Sequence, residues 1–246
     1  MCGIIAAAST RNVGKLLVQG LHKMEYRGYD SAGIALHQES SIAHLRTVGK
    51  VQLLEDKMIV EKPKSKLGIA HTRWATHGEP SEVNAHPHKS KDSVYIVHNG
   101  IIENYVELRE SLINDGYEFT SQTDSELIAH MLDYFINQDN SMIDAMYLAK
   151  EKLDGAYAIA AIDLNNNSNL VVARNKSPLL LGLGTDEMFA ASDPLAIAQL
   201  TNDFIFLEDG DVASISAEEY KIYDASKEEV SRDVTHIDIS SQATSK

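Results

Sequence analysis

The sequence holds a single cysteine, Cys2, so no internal disulfide can form, and a reducing, cytoplasmic setting is the expectation. No apolar run approaches the ~20 residues that a membrane helix needs. The start of the chain lacks the basic segment and following apolar stretch of a signal peptide. Positive charge is scarce: 22 Lys and Arg against 36 Asp and Glu leave a net charge of −14. Such a field repels phosphate backbones and anionic lipid, so neither nucleic acid nor a membrane is expected as a partner. It does not bear on a small zwitterion, which answers to local charges. There is no internal repeat. What is present is globular: 246 residues, 43% of them hydrophobic, enough for a sizeable core in one large domain or two small ones.

Gly3 to Ala8 is short, small and apolar, and reads as a buried strand. Val13 to Met24 carries apolar residues at 13, 16, 17, 21 and 24, a helical spacing. Strands are expected at 34–36, 42–48, 67–70 and 93–97, with a long polar stretch from His71 to Asp92. Helices are expected at 53–60, 104–115, 124–137 and 142–153, with Asp124 as N-cap of the third. The second half reads as short strands at 156–162, 170–173, 179–183, 188–190, 204–206, 211–214 and 221–223. Glu208-Asp209-Gly210-Asp211 is a hairpin-type turn signal. Strands, then helices, then strands imply an α+β domain of two stacked sheets with helices outside. The end from Ser240 to Lys246 is polar and small and reads as a linker or tail.

Cys2 carries the first chemical signal. Removal of Met1 would put a thiol and an α-amine on one residue. That amine, with an ordinary pKa of about 8, can take the proton of a thiol near 8.5. This is the activated-nucleophile pattern of a thiol beside its base; the alternative is a small buried residue. The densest functional stretch is His71-Thr72-Arg73-Trp74-Ala75-Thr76-His77-Gly78-Glu79-Pro80. Arg73 offers a planar fork for a carboxylate and Thr76 an added donor. In His98-Asn99-Gly100, a side-chain amide beside a glycine N–H suits an oxyanion hole, or an ordinary Asn-Gly turn. Asp124 can cap a helix or hold an ammonium, and Arg73 with Asp124 would match the two ends of a free amino acid. Five of the ten histidines lie between 71 and 98. Their spacing fits no metal motif, and they read as ring hydrogen-bonders that order the site rather than as metal ligands.

Six segments in order then resemble the class II glutamine amidotransferases: Met1-Cys2-Gly3-Ile4, Tyr26-Arg27-Gly28-Tyr29-Asp30-Ser31-Ala32-Gly33, His71 to Gly78, Asn84-Ala85-His86-Pro87-His88, His98-Asn99-Gly100-Ile101-Ile102-Glu103-Asn104, and Thr123-Asp124. Weaker similarity continues through Ser177-Pro178-Leu179 and Ala191-Ser192-Asp193 to about residue 239. The resemblance implies a four-layer αββα sandwich of the N-terminal-nucleophile hydrolase type over residues 1–239. It implies Cys2 as nucleophile and Asn99 and Gly100 as the oxyanion hole. Arg73 and Thr76 would hold the α-carboxylate of L-glutamine and Asp124 its ammonium. Arg27, His77 and His86 would shape and close the pocket, and Trp74 would form its lid and guide ammonia. No metal or organic cofactor is implied.

Within that class the likeness is greatest to the branch whose full-length members pass the ammonia to fructose 6-phosphate, making glucosamine 6-phosphate. The sugar-isomerase portion that binds fructose 6-phosphate is absent from this sequence. An isolated amino-terminal domain, monomeric by itself and homo-oligomeric at full length, is therefore the expectation. The alternatives are the glutaminase part of another class II enzyme, such as the phosphoribosylpyrophosphate amidotransferase, and a glutamine-sensing module without chemistry.

Overall fold

The computed structural model describes residues 2–75 and 78–238. Its elements in chain order are β1 (Gly3–Ser9), α1 (Gly14–Met24), β2 (Ser31–His37), β3 (Ile42–Val48), α2 (Val51–Glu61), β4 (Leu67–Arg73), β5 (His88–Ser90), β6 (Val94–Ile102), α3 (Tyr105–Asn114), α4 (Glu126–Ile136), α5 (Met142–Lys150), β7 (Gly155–Asp163), β8 (Asn166–Asn175), β9 (Leu180–Leu183), β10 (Glu187–Ala191), β11 (Asp203–Phe206), β12 (Val212–Ile215), β13 (Tyr220–Tyr223), β14 (Glu229–Val230) and β15 (Val234–His236). Strands in the order β15-β11-β9-β10-β1-β4-β2-β3 form one antiparallel sheet, and β14-β13-β12-β8-β7-β6-β5 the other.

Three apolar layers make the sandwich. Ile4, Ala6 and Ala8 of β1 meet Tyr95 and Val97 of β6 between the sheets. Ile5 and Ala7, on the other face of β1, pack under α1 with Leu17, Leu21 and Met24. Val94, Ile96 and Ile102 of β6 pack under α4 with Leu127, Ile128 and Leu132. Both central strands are thus buried on two faces, which explains their continuous apolar runs. Each fully buried Ile or Leu contributes roughly 1.5–3 kcal/mol. The helices on both outer faces complete the four-layer αββα architecture.

Several local expectations are corrected. β4 does not stop at Ala70 but runs on through His71, Thr72 and Arg73, because β1 and β2 flank it there, with Thr72 opposite Gly3 and Arg73 opposite Ser31. β6 likewise runs through His98, Asn99 and Gly100 to Ile102, so Asn99-Gly100 is no turn between strands; β7 pairs with it along this length. Asp124 caps no helix: Ser125 precedes α4, and the Asp124 carboxylate accepts the Ile102 N–H at 2.8 Å instead. The Glu208–Asp211 turn joins β11 of one sheet to β12 of the other rather than closing a hairpin. Arg109 of α3 lies 4.2 Å over the Phe119 ring and donates to the Ser121 carbonyl.

Gly100 sits mid-strand at φ +136°, and a Cβ there would stand 1.9 Å from the Ala156 carbonyl oxygen. Gly100→Ala must move a paired backbone. We expect it to lower stability by at least about 2 kcal/mol in urea unfolding.

Candidate active site

The register of β1 on β4 builds the site. Gly3 lies opposite Thr72, so Cys2 emerges beside Arg73 and Trp74. A Cβ on Gly3 would come within 2.8 Å of both Met24 Sδ and Thr72 Oγ1, so only glycine lets the strands approach this closely. The Ser192 hydroxyl accepts the Ile4 N–H at 3.0 Å and pins the strand from its other side.

Cys2 Sγ accepts the Trp74 N–H at 3.2 Å and lies 3.5 Å from the Trp74 carbonyl. Burial pushes the thiol up from its ordinary pKa, and the Asp30 carboxylate adds to this. The Trp74 N–H and the Arg73 charge partly offset the rise. A thiol so placed is mostly protonated at neutral pH and needs a base to attack. Met1, whose removal would free that base, lies outside the described residues.

On the facing sheet, Asn99 donates from Nδ2 to the Cys2 carbonyl at 3.3 Å. Its Oδ1 lies 2.9 Å from His71 Nε2. Asp124 is buried, with its second oxygen taking the Ser125 hydroxyl at 3.3 Å. Arg73 is buried at the end of β4, where it donates to the Gly78 carbonyl at 3.1 Å and stands 3.7 Å from Asp30. Arg27 reaches Asp193 at 3.3 Å, and the neighbouring Tyr26 hydroxyl donates to the same carboxylate at 2.6 Å. The Trp74 ring is half-exposed and covers Gly28, where a Cβ would stand 2.6 Å from the indole.

Cys2, Arg27, Arg73, Trp74, His86, Asn99, Gly100 and Asp124 all line one cleft of about 450 Å³, together with His98, Ile101, Thr123, Ser125, Ser177 and Pro178. That volume suits an amino acid. Thr76 and His77 lie outside the described residues. Among the described residues no group of three or more His, Cys, Asp or Glu side chains is arranged to hold a metal ion.

Reading the sequence missed Asp30, whose carboxylate accepts both the Ala75 N–H and the Ser31 hydroxyl and so ties the turn before β2 to the Trp74 segment. It missed Asp193 as the partner of Arg27. In both cases the signal lies in strand pairing, which spacing along the chain does not reveal. The histidines bond side chains and one another as much as loop backbone. His88 Nε2 lies 3.0 Å from the Thr123 hydroxyl, His98 Nδ1 lies 2.8 Å from the Ser125 hydroxyl, and His86 Nδ1 accepts the His98 N–H at 3.3 Å.

A cysteine at the head of a central strand, facing an asparagine across two antiparallel sheets held between helical layers, defines the sandwich class of the N-terminal-nucleophile hydrolases. The family model described as "Glutamine amidotransferase domain" matches residues 71–199, and the chain belongs to that family. Among curated proteins it is 49% identical over 236 residues to the glutamine–fructose-6-phosphate aminotransferase (isomerizing) of Vibrio parahaemolyticus, covering 96% of this chain and 38% of that protein. The protein of the same name from Haemophilus influenzae is 47% identical over 248 residues, covering 100% and 40%. The chain thus spans about two-fifths of the length of the curated relatives it matches. Among solved structures, an allosteric regulatory enzyme of purine biosynthesis superposes at a TM-score of 0.80 with 25% identity, covering 91% of this chain and 49% of that one. The glutamine phosphoribosylpyrophosphate amidotransferase of B. subtilis, with 24% identity and a TM-score of 0.78 over the same shares, has the same fold.

Burial holds the histidine rings neutral: His71 is pushed down to about 3, His44 to about 4, and His86 and His88 well below their ordinary value. Below pH 6.5 the unfolded chain therefore takes up protons that the folded chain refuses. The resulting stability is complete above about pH 6.5 and is lost as pH falls toward 4, by about 1.4 kcal/mol per pH unit for each such ring. Denaturant midpoints measured across this window should fall accordingly; a flat profile would contradict neutral buried rings.

Proposed function

We propose that this domain hydrolyses the side-chain amide of L-glutamine through a thioester on Cys2. The carrying observation is that Cys2, Asn99, Arg73 and Asp124 line one cleft of amino-acid size. The α-amine of Cys2, freed by loss of Met1, takes the thiol proton. The thiolate attacks the amide carbon, and the C=O electron pair moves onto oxygen. Asn99 Nδ2 and the Gly100 N–H stabilise that oxyanion; removal of one such donor typically costs about 2.7–4 kcal/mol. The Cys2 ammonium then protonates the departing nitrogen, the C–N bond breaks and ammonia leaves. Water attacks the thioester, with the same amine as base, and glutamate is released with the thiol restored.

Arg73, with Thr76, holds the glutamine carboxylate, and Asp124 holds its ammonium. Both charges are already buried and oriented by backbone partners, so substrate binding completes ion pairs rather than burying bare charges. Asp193 keeps Arg27 at the cleft wall, while His77 and His86 shape it. Trp74, half-exposed at the mouth, serves as the lid.

In a longer enzyme the ammonia would be passed to fructose 6-phosphate, giving glucosamine 6-phosphate. Relatives at 47–49% identity carry the fructose-6-phosphate name, whereas the phosphoribosylpyrophosphate amidotransferase structure stands at 24%. That difference favours the sugar reading over the phosphoribosylpyrophosphate one. Residues 1–239 would be the glutaminase unit and 240–246 the start of a linker.

Cys2→Ala should lower glutamine turnover by roughly a thousandfold or more while calorimetry still detects glutamine binding. Equal turnover in wild type and variant would sink the thioester route. Asp124→Asn should raise KM about tenfold, equivalent to about 1.4 kcal/mol, with a smaller change in kcat. A chain shown by intact mass to retain Met1 should be inactive; full activity with Met1 attached would refute the amine as base.

A further inference from the structure

We propose that His71 is a positioning residue for the oxyanion pocket: its ring, held as the Nε2–H tautomer, fixes which end of the Asn99 amide faces Cys2. This rests on the reading of Cys2 as nucleophile and Asn99 as oxyanion donor.

A side-chain amide has an oxygen end and a nitrogen end of nearly equal size, and only its partners decide how it lies. One end of Asn99 faces the Cys2 carbonyl oxygen at 3.3 Å. A carbonyl oxygen only accepts, so the end facing it is the NH2. The other end, the acceptor Oδ1, therefore faces His71 Nε2 at 2.9 Å. Two acceptors cannot bond, so Nε2 carries the hydrogen and Nδ1 is bare. The tautomer thus follows from the chemistry of the Cys2 carbonyl, two contacts away.

The ring is also held in place. His71 is fully buried on β4, and Asn99 lies across the gap on β6 of the other sheet. The His71 ring stacks on His86, with centroids 4.1 Å apart and planes at 28°. His86 in turn is fixed by accepting the His98 N–H. The burial that lowers the His71 pKa to about 3 keeps the ring in its neutral, single-donor form. An inverted Asn99 amide would present Oδ1, not N–H, toward the cysteine. It would repel a developing negative charge. One hydrogen of the Asn99 NH2 rests on the Cys2 carbonyl, and the second is available to the oxyanion. His71 thereby bears on the transition state without touching substrate.

The test compares His71→Met, which has no donor, with His71→Gln, whose amide NH2 stands near the position of Nε2. For each full-length variant, kcat and KM for glutamine and the rate of Cys2 alkylation by iodoacetamide are measured. Alkylation needs the nucleophile but no oxyanion hole. Nitrogen-15 NMR of the wild type at neutral pH reads the His71 tautomer. The expected result is a wild-type ring protonated on Nε2 only. In His71→Met, kcat should drop tenfold or more, with KM and alkylation within twofold of wild type, and His71→Gln should recover most of the loss. The proposal is overturned by an Nδ1–H tautomer, by a Met variant within twofold of wild-type kcat, by a Gln variant no better than Met, or by alkylation falling in step with kcat. If the Met variant does not fold, an Nε2–H wild type with near-normal kcat in His71→Gln supports the proposal, and a strongly impaired, folded His71→Gln overturns it. If the wild type hydrolyses no glutamine yet shows the Nε2–H ring, the glutaminase reading fails while the amide-orienting contact stands.

Discussion

The pairing of β1 with β4 is the constraint on which the site depends. A strand has a period of two, so a slip of one residue would exchange its faces. Here such a slip would move Ile4, Ala6 and Ala8 out of the inter-sheet core and Ile5 and Ala7 out from under α1. It would also turn Cys2 away from Arg73 and Trp74. The register is secured at the catalytic end by Gly3, which alone fits against Met24 and Thr72, and by the Ser192 hydroxyl on the Ile4 N–H. Core packing and the placing of the sulfur are therefore one and the same requirement.

The site combines two kinds of polar group, and their environments differ for a physical reason. Arg73 and Asp124 are buried, and each has fixed partners: main-chain carbonyls and Asp30 for the guanidinium, the Ile102 N–H and Ser125 hydroxyl for the carboxylate. His71 stacks on His86, and His88 meets His86 edge-on; among the described residues no carboxylate supports a proton on any of the three, so desolvation leaves them neutral. A cluster of imidazolium ions beside Arg73 would compete for any carboxylate bound there. Neutral rings instead act as directional hydrogen-bonders, which a low-dielectric site rewards.

Much of this was legible from residue types. The run from Gly3 to Ala8 announced a strand because both its faces are buried, and the helix expected at 124–137 is found as α4. Cys2, Asn99, Gly100 and Asp124 each had an ordinary structural reading as well, and it was six segments in one order, resembling one family, that singled them out together with Arg73. The strand ends were not legible. His71-Thr72-Arg73 and His98-Asn99-Gly100 look like loop, and only pairing with β1, β2 and β7 makes them strand. The short strands β5, β14 and β15 carry too few residues for a periodic signal. Asp124 misled because an aspartate before a helix is usually a cap; here a strand N–H competes for its carboxylate and wins. Asp30, Asp193 and the contact between His71 and Asn99 were hidden because each acts through a residue distant in sequence.

The corrected strand ends also explain how the site divides its labour. Asn99 and Gly100 lie within a paired strand, where the backbone is held on the β7 side by a full ladder of hydrogen bonds. For the oxyanion role proposed above, which depends on donors that need no reorganisation as charge develops, a strand interior would suit better than the turn that an Asn-Gly pair suggests. Arg73, by contrast, is the last residue of β4, and its guanidinium bonds carbonyls of the segment that follows, at Gly78 and Glu79. Under the proposed mechanism Arg73 would exchange these backbone carbonyls for the substrate carboxylate. The cysteine, too, stands at a boundary, one residue before β1 and lining the cleft, so under the proposed mechanism its sulfur would have a rigid anchor behind it and open cleft in front. The same strand pairing that hides the ends of β4 and β6 from a reading of the sequence would thus, under that mechanism, separate the groups that hold still from those that exchange partners.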